Sequence, residues 1–218
     1  MIETYPSVDA LADAAAAAVE AQLMAGLAER GHASLVATGG RSPGPVYDRL
    51  ALTELDWPHV AVTLSDERQV DADSPNANAR LLRERLFVGR AARARFLPLT
   101  DYAEPALTKL MPFDAVMLGM GEDGHIASLI PGSPVLEHAM DPAGQALTAE
   151  SPQGFGSPPL ARITLTLAAL LQSRAIFLLI AGEAKRQVIS QAEAGADFPV
   201  RAILHQDRVP VRIFWTPN

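Results

Sequence analysis

The sequence predicts an α/β fold: a doubly wound, mostly parallel sheet with helices on both faces. Two observations predict it. Four short runs rich in β-branched and apolar residues, Ala33 to Thr38, Val60 to Leu64, Phe113 to Leu118 and Ala175 to Ala181, read as buried strands. Each is followed by a glycine-rich or acidic loop and then by a helical pattern, the βα alternation of a largely parallel sheet. Ahead of them, Ser7 is a suitable N-cap, leucine, valine and methionine recur at helical spacing through Arg30, and Gly31 fits the C′ position. The alanine-rich stretch from Asp9 to Ala18 belongs to this helix, given alanine's propensity. Arg93 to Leu97 supplies a further strand, and Val209 to Trp215 reads as a final strand near the edge, with Pro210 at its start where a lost donor is tolerated. Between Pro142 and Pro159 the breakers of Gln153-Gly154-Phe155-Gly156-Ser157-Pro158-Pro159 mark a surface loop within one domain, a candidate lid.

With 218 residues, 49% of them apolar, and no internal repeat, the chain can bury a full core as a single domain over 1–218. No run looks long enough to span a bilayer, and the N-terminus lacks a basic region followed by an apolar core, so a cytoplasmic protein without membrane partners is expected. The absence of cysteine excludes thiolate metal sites and thiol nucleophiles. A formal net charge of -7 argues against nucleic-acid binding, which needs a basic surface. An anionic ligand must therefore meet a local cluster of positive charge.

Four polar loops fall where the parallel strands end, and open α/β sheets bind ligands at that edge. The first, Thr38-Gly39-Gly40-Arg41-Ser42-Pro43, brings two glycines, a hydroxyl and a cation to the start of a helix that Pro43 opens, a build that suits a phosphate. Its glycine spacing matches neither a P-loop nor a dinucleotide fingerprint. The second is Ser65-Asp66-Glu67-Arg68, where Arg68 can polarise a carbonyl and Asp66 and Glu67 are candidate partners for it; a helix then runs to about Phe87. The third, Gly119-Met120-Gly121-Glu122-Asp123-Gly124-His125, carries an imidazole with an acid two residues before it, the pattern of a positioned general base, and continues through Ile126 to Gly132 as a short helical turn. The fourth, Gly182-Glu183-Ala184-Lys185, puts a lysine in the first turn of a helix, which is unfavourable beside the positive end of the dipole unless an anion lies between them. Arg162, ahead of Ile163-Thr164-Leu165-Thr166-Leu167, either reaches the same pocket or pairs on the surface.

Taken in order, Gly39-Gly40-Arg41-Ser42-Pro43 with Tyr47 and Leu50, Asp66-Glu67-Arg68 with Asn78, Leu118 to Leu129 with Pro131-Gly132, Arg162 to Leu167, and Gly182 with Lys185 resemble the 6-phosphogluconolactonases, relatives of the glucosamine-6-phosphate deaminases. The likeness covers nearly the whole chain and departs at Arg41-Ser42, where Ser-Thr is usual, and at Asn76-Ala77-Asn78, where Asp-Ser-Asn is usual. It implies a Rossmann-like sheet and hydrolysis of 6-phospho-D-glucono-1,5-lactone in the oxidative pentose phosphate pathway, with a small sugar phosphate as partner. No metal or organic cofactor is implied, and the chain is expected as a monomer or homodimer. The catalytic residues would be His125, Arg68 and Asp123; Gly39, Gly40, Arg41, Ser42, Asp66, Arg162 and Lys185 would bind substrate. The deaminases are similar through Asp-Gly-His-Ile-Ala but follow it with Phe-Asn-Glu, where this chain has Ser128-Leu129-Ile130, and they carry Tyr at the position of Arg68. Ile130 cannot move a proton, which sets the amino-sugar-phosphate reading behind the lactone one. A non-catalytic sugar-phosphate sensor would need an output module, and neither a helix-turn-helix segment nor a basic patch is visible.

Overall fold

A computed structural model describes residues 2–217. Along the chain run β1 (Ile2–Thr4), α1 (Val8–Arg30), β2 (Ala33–Ala37), α2 (Gly44–Leu50), β3 (Val60–Leu64), β4 (Asp66–Arg68), α3 (Asn78–Arg85), β5 (Arg95–Phe96), α4 (Glu104–Thr108) and β6 (Ala115–Gly119). They are followed by α5 (Leu136–Ala139), β7 (Thr148–Ser151), β8 (Arg162–Leu165), α6 (Leu167–Leu170), β9 (Ile176–Ala181), α7 (Glu183–Glu193), α8 (Arg201–Leu204) and β10 (Val211–Thr216). Seven strands form a parallel sheet in the order β1-β10-β9-β6-β2-β3-β5. From β2 the chain steps outward to β3 and β5, then returns to β6 on the other side and steps outward again through β9 and β10. Because parallel crossovers are right-handed, this reversal puts α2 and α7 on opposite faces. The α/β expectation holds.

The four central strands are apolar but for Ser34 and Thr63 because both faces are covered: every residue of β2 and β3 is buried, as are Ala115 to Leu118 and Ile176 to Ile180. α1 begins as its sequence directs, with the Ser7 hydroxyl accepting the Ala10 N–H, and ends at Gly31, whose φ of 73° is the left-handed conformation a C′ residue needs. By length and composition α1 is apolar enough to cross a membrane, contrary to the sequence reading. In this fold its apolar stripe, Leu11, Ala15, Val19 and Leu23 among it, is buried where the helix crosses β2, β6, β9 and β10.

Several local expectations are corrected. β10 is near the edge, as read, but a strand not foreseen, β1, pairs beyond it, Ile2 with Ile213 through Thr4 with Trp215. A three-residue strand carries no readable period, which is why the sequence hid it. Asp66 to Arg68 is a strand, not a loop, and pairs antiparallel with β8, which pairs with β7 to make a second, three-stranded sheet. Thr148 to Ser151 therefore leaves the supposed 142–159 loop for a sheet. The segment after His125 is not helical; Ile126 bridges Met120 and Leu129, and Ala127 at φ 49° breaks any helical turn. Only Arg95 and Phe96 of the 93–97 run are strand, since Gly89 to Arg93 form a 3₁₀ turn. Pro43 caps α2 from just outside it.

Candidate active site

β2 and β6 are neighbours from which the chain leaves in opposite directions, so their carboxyl ends diverge and open a crevice, the switch point where doubly wound sheets hold ligands. A cleft of about 140 Å³ lies there. Gly39, Gly40, Arg41, Ser42, Asp66, Arg68, His125, Arg162 and Lys185 all line it, so segments far apart in sequence, two loops, the strands β4 and β8 and the first turn of α7, meet there. Asp123 joins through His125. Asn78, Ser157 and the backbone of Gly119 to Gly121 complete the wall.

His125 is held by a tight local turn. Its Nδ1 lies 2.5 Å from Asp123 Oδ1, its backbone N–H donates to the same oxygen at 3.3 Å, and its carbonyl accepts the Gly121 N–H at 3.0 Å. A Cβ on Gly121 would sit 2.3 Å from both Asp123 Oδ1 and His125 Nδ1, so only glycine lets the acid and the imidazole fold over the loop. Gly124, at φ 73°, turns the chain between them. The hydrogen bond from His125 holds the Asp123 carboxyl below the usual carboxylate range, against a smaller opposing effect of burial. A carboxylate accepts, so in the neutral imidazole this contact favours the tautomer with the proton on Nδ1 and leaves Nε2 as the acceptor.

Arg68 faces the same cleft. Its Nη1 donates to two neutral acceptors, the Asn76 carbonyl at 2.9 Å and Asn78 Oδ1 at 2.7 Å, and its buried Nε has no partner among the described residues. Neither candidate carboxylate pairs with this guanidinium. Glu67 instead accepts the backbone N–H groups of Arg68, Asn78 and Ala79, each at 2.7 Å, and so caps α3; burial nonetheless pushes its carboxyl up. Asp66 turns inward: its Oδ2 accepts the Ser128 hydroxyl at 2.6 Å and lies 3.8 Å from Nη1 of Arg162. Arg162 is 3% exposed, is anchored by the Pro158 carbonyl at 2.8 Å, and leaves its Nε unpartnered. Burial is the main cause lowering its proton affinity, with Arg68 adding to the effect. Of the two alternatives for Arg162, the pocket is the one realised.

At the other end of the cleft, the fully buried Tyr47 fixes the start of the first loop by donating to the Thr38 carbonyl at 2.6 Å while accepting the Thr38 N–H at 2.8 Å. Gly40 follows at φ 98°. Lys185 reaches this end from the first turn of α7, and burial pulls its proton affinity down, partly offset by Glu122 and reinforced by Arg41. Four cations, Arg41, Arg68, Arg162 and Lys185, thus line one cleft of a chain whose net charge is -7. The sequence reading missed Ser128 and undervalued Asn78. Their roles are tertiary contacts that no local spacing displays.

The fold and this cleft define an α/β protein with a cation-lined cleft and a carboxylate-held imidazole at the switch point of its sheet. The family described as glucosamine-6-phosphate isomerases/6-phosphogluconolactonase matches residues 6–215, and the chain belongs to it. Similar proteins include the 6-phosphogluconolactonase of Caulobacter vibrioides, 41% identical with 98% of this chain and 96% of that protein covered. That of Rhizobium meliloti is 40% identical, with 98% and 97% covered. Among solved structures, a 6-phosphogluconolactonase from Shewanella baltica superposes with a TM-score of 0.91 at 38% identity, over 99% of this chain and 97% of that one.

Proposed function

We propose that this protein is a 6-phosphogluconolactonase: it hydrolyses 6-phospho-D-glucono-1,5-lactone to 6-phosphogluconate in the oxidative pentose phosphate pathway. The observation that carries the reading is the pairing, in one cleft, of a base oriented by a carboxylate with a guanidinium bonded only to neutral acceptors. Where the deaminases carry their glutamate after Asp-Gly-His-Ile-Ala, this chain has Ile130, apolar and buried, and so no acid at that place. Proton relay between sugar carbons or an amine would need one; ester hydrolysis does not.

In this reading the 6-phosphate rests on the Gly39 to Ser42 backbone with Lys185 and Arg41, so that binding energy from a non-reacting group fixes the ring ester. Nε2 of His125 removes a proton from the water that attacks C1. The carbonyl electrons move onto oxygen, and Arg68 stabilises that oxyanion, with Arg162 beside it. Collapse breaks the bond from C1 to the ring oxygen, which takes the proton back from His125; the new carboxylic acid then releases its proton to solvent. Asp123 holds the imidazole in the Nδ1–H form throughout. Asp66 contributes by fixing Ser128 and Arg162. The whole chain serves as a single lactonase domain in the cytoplasm, as a monomer or homodimer.

The test is acid formation from freshly generated 6-phosphogluconolactone, corrected for spontaneous opening, with glucosamine-6-phosphate assayed alongside for ammonia. Hydrolysis above background without ammonia is the expected result. Ammonia release without hydrolysis would replace this reading with the deaminase one.

A further inference from the structure

Asn78 opens α3 with 3% of its surface exposed, and its polar atoms all turn to the cleft wall. Nδ2 donates to the Asp66 carbonyl at 2.8 Å, and Oδ1 accepts from Nη1 of Arg68 at 2.7 Å. The backbone N–H donates to Glu67 Oε1, the same oxygen that accepts the Arg68 N–H. All three residues of β4 are therefore tied to Asn78 directly or through a shared acceptor.

On its other side the amide lies flat against the first loop. A Cβ on Gly39 would stand 1.9 Å from Asn78 Oδ1, 2.3 Å from Cγ and 2.7 Å from Nδ2. Gly39 is thus glycine because Asn78 occupies the volume a side chain would fill. The amide bridges the two ends of the cleft, the loop read as the phosphate cradle and the guanidinium read as the oxyanion donor.

Helix capping does not account for this arrangement. The α3 N-terminus has no side-chain bond from its N-cap residue, Ala77, and Glu67 satisfies the N–H groups of Asn78 and Ala79. The Asn78 carboxamide is left for Arg68. An amide oxygen suits that place better than a carboxylate, because it orients the guanidinium without neutralising it.

We propose that Asn78 is a positioning residue for lactone hydrolysis: wedged between Gly39 and Arg68, its carboxamide aims the charged guanidinium at the carbonyl of a substrate whose phosphate rests on the Gly39 loop. The proposal depends on the lactonase reading. It acts through Arg68, so its effect belongs in kcat and disappears when Arg68 is absent.

A double-mutant cycle tests this, with kcat and KM for 6-phosphogluconolactone measured on the wild type, Asn78→Ala, Arg68→Ala and the double variant. If Asn78→Ala does not fold by thermal unfolding, Asn78→Ser enters the same cycle. Asn78→Ala is expected to lower kcat by about 10- to 100-fold, typical of losing a supporting residue, with KM changed far less. In the Arg68→Ala background the same substitution is expected to cost less than about twofold, the non-additivity of residues acting as one unit. Equal losses in both backgrounds, or a loss confined to KM, would overturn the proposal while leaving an active lactonase. A wild-type protein without lactonase activity would overturn the reading and the proposal together.

Discussion

The two ends of strand β6 treat charge in opposite ways. At its start, Asp114 is 1% exposed and surrounded: Arg30 bonds its Oδ1, Arg174 lies 3.6 Å away, and the Ser34 N–H donates to Oδ2 at 2.8 Å. At its far end, past Gly119, Arg68 bonds only neutral oxygens, and Lys185 is shifted by burial and by charges at a distance. The first arrangement is what stability asks of a buried charge, namely pairing with full hydrogen bonding. The second costs stability and is retained where an anion is to be bound. One strand therefore connects a structural end to a functional one, and substitutions at the two ends should separate folding from turnover.

The largest separation is expected from the base. His125→Ala should lower kcat by about 10²- to 10⁴-fold, the usual contribution of general base catalysis, with the urea midpoint lowered only by the small contribution of its bond to Asp123. Loss of folding with loss of rate would make the loop structural. At the other end of the strand, Asp114→Ala leaves Arg30 and Arg174 beside an empty site and should cost about 3 kcal/mol of unfolding free energy, the lower end expected because the arginines are partly solvated. The kcat of the folded fraction should stay near wild type. A drop in kcat without a drop in stability would erase the contrast between the two ends.

Lys185→Met sharpens the comparison from the functional side. Removing an ammonium whose burial already disfavours its charge should leave the melting temperature unchanged or slightly raised, while KM for the phosphorylated lactone rises roughly 10- to 100-fold. Inorganic phosphate should raise the melting temperature of the wild type more than that of the variant. A lower melting temperature with KM intact would assign Lys185 to packing.

The smallest effect concerns acid stability. Because the folded Asp123 carboxyl is held below its unfolded value of about 3.9, its stabilising contribution is complete above that value and is lost as pH falls through the depressed one. The stability gap between wild type and Asp123→Asn should therefore be open at neutral pH and narrow below about pH 4. Thermal unfolding across that range measures it; a gap independent of pH would remove the ionised carboxylate from the account.

How much of this was legible in the sequence follows from where each signal resides. The central strands could be read because burial on both faces makes Ile176 to Ile180 an uninterrupted apolar run and Val60 to Leu64 one broken only by Thr63. α1 could be read because its cap, its face and its stop are all local. The second sheet could not, since Asp66 to Arg68, Thr148 to Ser151 and Arg162 to Leu165 are short and polar and gain meaning only from one another. The same division holds in the cleft. Asp123 and His125 are two residues apart in a glycine turn, so their pairing is written in sequence. The partners of Arg68 are not: two acids beside it drew the expectation, yet both face elsewhere, and an amide ten positions on takes their place.

The most direct measurement is kcat/KM for 6-phosphogluconolactone and for unphosphorylated gluconolactone, each on the wild type and on Lys185→Met. A strong wild-type preference for the phosphorylated lactone that collapses in the variant is the predicted result. Equal rates on the two lactones, or a preference that survives the loss of Lys185, would contradict the claim that the unpaired cations of this cleft select the substrate by its phosphate.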